Sequence, residues 1–205
     1  MIDAPGGPAF DRLQGQRFIK PVRSSVWLFA GFGVFLALLG YLLASSLTRR
    51  STPAFAPREA VTPRDNGRGP DTLTVDASES ARWRFVDLHR GRTLAPPDTG
   101  GWDIAIRRFH IIASGAIADA GATGYDSLAV PPESGYITNT LDADTTNAAI
   151  RRWYSYGMLS HLLTPKGHLY VVRTSEGRFA KLELISYYCP GLRAGCLTFR
   201  YGFLK

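Results

Sequence analysis

The chain has 205 residues, 45% of them hydrophobic, with 24 Lys/Arg against 17 Asp/Glu and a formal charge of +7. The excess is nine Lys/Arg against five Asp/Glu up to Asp71 and fifteen against twelve beyond, so much of it lies in the N-terminal third, beside a long uncharged run, where it suits lipid phosphates rather than nucleic acid. Two cysteines with no histidine beside them offer too few ligands for a structural metal site.

In chain order, residues 1–23 open with a Pro-Gly-Gly-Pro stretch from Pro5 to Pro8 and continue into a mixed segment, Phe10 to Phe18, that suits a membrane surface. Ser24 to Thr48 is a 25-residue run with no charged side chain. About 20 apolar residues at roughly 1.5 Å each cross a hydrocarbon core about 30 Å thick, so this run predicts a transmembrane helix. Trp27 and Tyr41 suit its two wet interfaces. A cleaved secretory signal is the competing reading, with Ala44-Ser45-Ser46 as a weak cleavage site. Such signals carry only about 7–15 apolar residues, and the 23 residues ahead of this run also argue for an uncleaved anchor.

Within the run, Ala30, Gly33, Ala37, Gly40 and Ala44 recur at spacings of three and four, one stripe of small residues along the helix. Such a stripe lets a second helix approach closely, which drives association in lipid. The expected partners are therefore the lipid bilayer and other subunits of a large membrane complex, with a lipid or pigment bound at the helix interface as a further expectation. Basic residues flank the run on both sides, Arg12, Arg17, Lys20 and Arg23 before it and Arg49, Arg50, Arg58, Arg64 and Arg68 after it, so charge does not decide the orientation.

Residues 49–71 carry Pro53, Pro57, Pro63 and Pro70 among Arg and Gly, which reads as an extended linker. From residue 72 to 205 the texture is short β-rich runs between Gly, Pro, Asp and Asn clusters. Strands are expected over Thr72 to Val75, Ala81 to Asp87, Trp102 to Ala113, Leu169 to Thr174, Phe179 to Tyr188 and Leu197 to Phe203. Ser175-Glu176-Gly177 reads as a tight turn, and residues 142–164 as a helical or irregular insertion. The fold class is thus mainly β, one N-terminal transmembrane α-helix followed by an antiparallel β-rich domain.

Cys189 and Cys196 sit either side of a Pro-Gly turn and an Ala-Gly pair, between strand-like runs. A hairpin there brings the sulfurs together. A disulfide implies an oxidising compartment, hence a domain in the bacterial periplasm, a tail in the cytoplasm and a helix in the inner membrane. Two reduced thiols in a cytosolic domain are the alternative.

Three motifs in order, Trp83-Arg-Phe-Val-Asp-Leu, Gly101-Trp-Asp-Ile-Ala-Ile-Arg-Arg-Phe, and Tyr170-Val-Val-Arg-Thr-Ser-Glu-Gly-Arg-Phe-Ala-Lys-Leu-Glu-Leu, with Trp153-Tyr154 ahead of the third, resemble the HmuY-like family over about residues 72–205. The resemblance implies a surface or periplasmic β protein, and its best-known members bind haem between two histidines. Of His89, His110, His161 and His168, the pair His161 and His168 flanks Thr164-Pro165-Lys166-Gly167, read as a turn that points both at one pocket mouth. Those two and His110 are the candidate haem ligands, with Met158 as a further axial candidate; haem is a candidate cofactor, and no cofactor is required.

Constellations for catalysis are missing: the chain has no Gly-x-Ser-x-Gly, no Walker-type loop, no His-Glu-x-x-His and no Cys-x-x-Cys. Asp142 and Asp144 lack the Gly and the Glu of a calcium loop. The sequence therefore leads to a non-enzymatic, single-pass accessory subunit docked on a large bacterial membrane complex, with a photosynthetic reaction centre and its light-harvesting rings as the expected host. The alternative is a membrane-anchored periplasmic haem-binding protein of the HmuY type.

Overall fold

A computed structural model of the chain describes residues 23–47, 51–58, 71–95, 100–141 and 144–205. The expected tail lies outside the described residues except for Arg23. The chain forms two units, one ending at Arg50 and one spanning Ser51–Lys205. The first is built on helix α1, Arg23–Leu47. Proline is absent from it, and at about 1.5 Å per residue it extends some 37 Å. Its stretch Ser25–Ser46 is long and apolar enough to cross a membrane. Trp27, Phe29 and Tyr41 are more than two-thirds exposed.

The second unit is mainly β, with short 3-10 turns at Tyr125–Ser127 and Pro190–Leu192. Its strands in chain order are β1 Asp71–Asp76, β2 Arg84–Asp87, β3 Arg92–Leu94, β4 Ile104–Arg107, β5 His110–Ala113, β6 Ala116–Asp119, β7 Ile137–Thr138, β8 Thr140–Leu141, β9 Thr145–Thr146, β10 Tyr154–Tyr156, β11 Leu163–Pro165, β12 Leu169–Arg173, β13 Phe179–Cys189 and β14 Arg193–Phe203. Six of them form an antiparallel sheet in the order β1-β14-β13-β12-β6-β7, and four form a second in the order β3-β2-β4-β5. The inward residues of both sheets share one core. Leu73, Val172, Leu182, Leu184 and Phe199 come from the first sheet and Val86, Ile104, Ile106 and Ile111 from the second, while Ile150 and Trp153 join from the segment between β9 and β10.

Alternation explains the long strands. Buried and half-buried residues alternate along β13 until Ser186, where the ladder with β14 shifts register and bulges; a bulge leaves backbone groups free for other partners. The partner here is the segment 51–58. Ser186 Oγ donates to the Pro53 carbonyl, Phe55 N–H donates to Tyr188 O at 2.9 Å, and Arg58 exchanges both backbone bonds with Thr74 at 3.0 and 2.9 Å. The expected linker 49–71 is thereby divided. Residues 51–58 are a strap on the β unit, because a bulged strand and the open edge of β1 accept their backbone, and residues 59–70 lie outside the described residues.

Two other expectations change. Trp102 to Ala113 is a hairpin of β4 and β5, with Arg107 opposite His110 and Arg108 at φ 55°. The described part of 142–164 contains no α-helix; β9, β10 and buried loop residues fill it. The turn after Ser175 forms as read, with Gly177 at φ 78° donating its N–H to Thr174 O at 3.0 Å. The loop between β13 and β14 is closed by a disulfide between Cys189 and Cys196, whose Cα atoms are 4.9 Å apart.

Asp103 ties the sheets together. It is 3% exposed and accepts from Leu88 N–H at 2.8 Å, Ser175 N–H at 2.9 Å and Ser175 Oγ at 3.0 Å. Burial pushes its carboxyl above the ordinary range despite those donors.

Candidate functional site

The β10–β11 hairpin projects from the core yet is fixed at its root. Trp153, 1% exposed, donates its Nε1–H to Phe109 O at 2.9 Å, and Leu163 N–H donates to Tyr188 Oη at 2.7 Å. The three-residue ladder pairs Tyr154 with Pro165 and Tyr156 with Leu163. Its turn closes through Gly157 N–H to Leu162 O at 2.9 Å and His161 N–H to Gly157 O at 2.7 Å. His161 sits there at φ 54°, a region that non-glycine residues enter at a cost.

That turn presents the imidazole. His161 Nδ1 is hydrogen-bonded to the Tyr156 hydroxyl. In the tautomer whose Nδ1–H donates to the Tyr156 oxygen, Nε2 carries a free lone pair, the arrangement in which a second group orients a histidine for ligation. Tyr156 is 50% exposed, and Met158 and Leu159 in the same turn are 76% and 89% exposed.

Two groups of rings flank this hairpin, one at each end of β10. Tyr156 and His161 lie 5.8 Å apart. Tyr154 stands on the same face of β10 as Tyr156 because side chains alternate along a strand. Phe109 meets Tyr154 edge-on at 5.7 Å and stacks on His110 at 4.5 Å. Burial, the leading cause, and the Arg107 guanidinium hold the His110 pKa below its ordinary value against the Asp144 carboxylate, which favours the neutral ring. Asp144 is itself paired with Arg107, which lies 4.6 Å over Trp83; Asp142 lies outside the described residues.

The structure does not gather His161 and His168 at one mouth. Residues 163–165 are strand, not turn, so the two lie beyond opposite ends of β11 with different partners. His168 Nδ1 is 3.0 Å from Asp119 and its ring packs by Tyr170. His89 meets Arg178 at 3.2 Å. Of the expected ligands, His161 pairs with Tyr156, His110 stacks on Phe109, and His168 lies by Tyr170. Reasoning from sequence missed Phe109, Tyr154 and Tyr156; the signal was the density of aromatic residues over Trp153 to Tyr156.

Two further places carry chemistry-bearing groups. The Asp76 carboxylate and the two cysteine sulfurs lie within 4.8 Å of one another, but the sulfurs are joined and Asp76 is held by Ser78 and Arg193, which lower its pKa, Ser78 first. A cleft of about 620 Å³ opens between β1 and β2–β3 beneath Pro57, with Arg58, Arg82 and Arg84 around Trp83 and Phe85. On α1, a Cβ added at Gly33 or Gly40 would meet nothing within 4 Å; Ala30, Ala37 and Ala44 complete that stripe on a fully exposed helix.

Comparison with solved structures identifies the architecture. The ligand-free HmuY analogue of Tannerella forsythia superposes with a TM-score of 0.59 at 18% identity, covering 69% of this chain and 100% of its own. The β unit has the HmuY-like fold. A candidate HmuY-like haem-binding protein of Bacteroides vulgatus matches at TM-score 0.56 and 20% identity over 70% of this chain and 96% of its own. A candidate lipoprotein of Bacteroides fragilis matches at 0.57 and 21% over 70% and 93%. No family model matches the sequence, and no curated protein does. The HmuY-like resemblance of the three sequence motifs is thus carried by the fold, with the motifs on β2, on the β4–β5 hairpin and on β12–β13.

Proposed function

We propose that this chain is a membrane-anchored, non-catalytic binding protein of the HmuY type, whose ligand is haem or a flat macrocycle of the same class. The observation that carries the proposal is the His161 ring, oriented by Tyr156 on the same β10 strand as Tyr154, which meets Phe109 where that ring stacks on His110. A planar apolar ligand needs aromatic surface and one or two neutral imidazoles. Haem, when bound, would supply an iron that an imidazole nitrogen can hold. The chain's part is to hold His161 Nε2 outward, to favour the neutral ring of His110, and to offer Phe109 and Tyr154 as ring surface. His168, whose Nδ1 meets the Asp119 carboxylate, lies by Tyr170 and not by these rings and is the histidine to test against His161. The likeness in fold to the B. vulgatus protein, described as haem-binding, supports this reading, and α1 supports the anchor.

The test is haem titration of the full chain in detergent. A Soret band that His161→Ala removes and His168→Ala leaves in place is the expected result; a colourless protein overturns the reading. The disulfide favours a periplasmic β unit with α1 crossing the inner membrane, and thiol labelling of the unreduced, denatured protein should find no free sulfhydryl.

A second reading rests on the sequence of α1, whose Ala30, Gly33, Ala37, Gly40 and Ala44 form one stripe of small residues. In it the chain is an accessory subunit whose helix packs against a larger membrane complex, a photosynthetic assembly being the first host to test. Replacing both glycines with Leu should release the chain from any pigmented or other large particle in size-exclusion chromatography of gently solubilised membranes. Unchanged co-migration counts against it.

A further inference from the structure

Four large apolar side chains left out of the core lie on three segments that each attach to, or follow, Tyr188 near the end of β13. Phe55, 39% exposed, belongs to the strap whose N–H binds Tyr188 O. Met158 and Leu159, at 76% and 89%, belong to the turn of the hairpin that is fixed to Tyr188 Oη through Leu163. Leu192, at 50%, caps the disulfide loop that follows Tyr188 directly. They come from three separate chain segments that share Tyr188 as their attachment, so they are not one run of apolar sequence. An exposed cluster of this kind marks a contact surface.

The chain itself says what covers it. It enters the β unit at this rim, since Pro53 and Ala54 dock at Ser186 and Tyr188. In sequence only Thr48, Arg49 and Arg50 separate the rim's strap from the last residue of the apolar helix. Two of those three are basic, as suits lipid phosphates. Arg193, beside Leu192, adds a half-exposed guanidinium.

We propose that this rim is a lipid-contact surface, with Met158, Leu159 and Leu192 entering the boundary between headgroups and acyl chains of a phospholipid bilayer. Apolar side chains on short loops flanked by arginines are the chemistry that interfacial anchoring uses. The inference rests on α1 as an anchor and is independent of haem. It makes the β unit a body held against lipid at one end, with the hairpin that carries His161 at the lipid surface.

The full chain, reconstituted in phosphatidylcholine–phosphatidylglycerol vesicles whose phosphatidylcholine is brominated high on the acyl chain, tests it. Leu159→Trp and Leu192→Trp each add a fluorophore at an exposed position, and Val130→Trp adds one at a 67% exposed site elsewhere. The bromines should quench most of the added emission at 159 and 192 and leave that at 130 unchanged. Trp27 in α1 reports separately that the helix is in the bilayer. Quenched Trp27 with unquenched Trp at 159 and 192 overturns the lipid surface alone, an unquenched Trp27 overturns the anchor and the surface with it, and equal quenching at all three added positions shows no specific rim and also overturns it.

Discussion

The β13–β14 ladder and the β10–β11 hairpin lie side by side and are built on opposite principles. Each strand of the ladder has 11 residues and commits most of its side chains to the core, so its place follows from burial alone. The hairpin strands have three residues each and expose Tyr156, Met158 and Leu159; two long-range bonds, Trp153 to Phe109 and Leu163 to Tyr188, hold it. Strands of the first kind make a scaffold. A hairpin of the second kind can turn its side chains to a ligand, because the scaffold keeps it in place.

The largest blow to that division is Trp153→Ala. It removes a fully buried indole where the hairpin joins the core and should cost about 3–5 kcal/mol, read by thermal or denaturant unfolding of the full chain, with haem binding lost as well. Tyr156→Phe is its counterpart. Only a half-exposed hydroxyl is removed, so stability should stay within about 0.5 kcal/mol while the orientation of His161 is lost. If the two variants lost stability equally, the hairpin would be part of the scaffold.

Next in size is the loop at the end of the ladder. Replacing Cys189 and Cys196 together with Ser should cost about 2–3 kcal/mol by the chain-entropy estimate for so short a loop, measured under oxidising conditions. The ladder's alternation should keep the fold.

Asp103 gives a smaller, pH-dependent effect. Its folded pKa lies above its ordinary value of 3.8, so the folded state holds that proton more tightly than the unfolded one. The associated stability is fully present below about pH 4 and is lost as pH rises through the higher folded pKa. Subtracting the pH–stability curve of Asp103→Asn from that of the native chain should leave a difference that grows in acid. A flat difference would mean that its three donors offset burial completely.

These contrasts explain what could be read from residues alone. Long elements were legible because periodicity is a sum over many positions. Phe179 to Tyr188 and Leu197 to Phe203 are both strands, the uncharged run is α1, and the two cysteines do form a bridge. Trp102 to Ala113 reads as one strand because its turn, Arg108-Phe109, lacks the Gly or Asn that usually marks such a turn. The strap was hidden because its partners are backbone groups freed by a bulge at Ser186, which no pattern in residues 51–58 announces. The site was half legible. His110 and His161 were named, but the contact of Phe109 with Tyr154 joins residues some 45 apart in sequence. The pairing of His161 with His168 failed because Thr164-Pro165 continues a strand where a turn was expected.

The central claim is that His161, positioned by Tyr156, serves as the ligand-binding histidine of an HmuY-like unit. Its most direct test is the absorption spectrum of the haem-titrated full chain, recorded for the native protein, His161→Ala, Tyr156→Phe and His168→Ala. The account predicts a saturable Soret band in the native protein and His168→Ala, a weakened and shifted band in Tyr156→Phe, and none in His161→Ala. A band that survives in His161→Ala but disappears in His168→Ala would move the site to the Asp119 side of the unit and contradict the account.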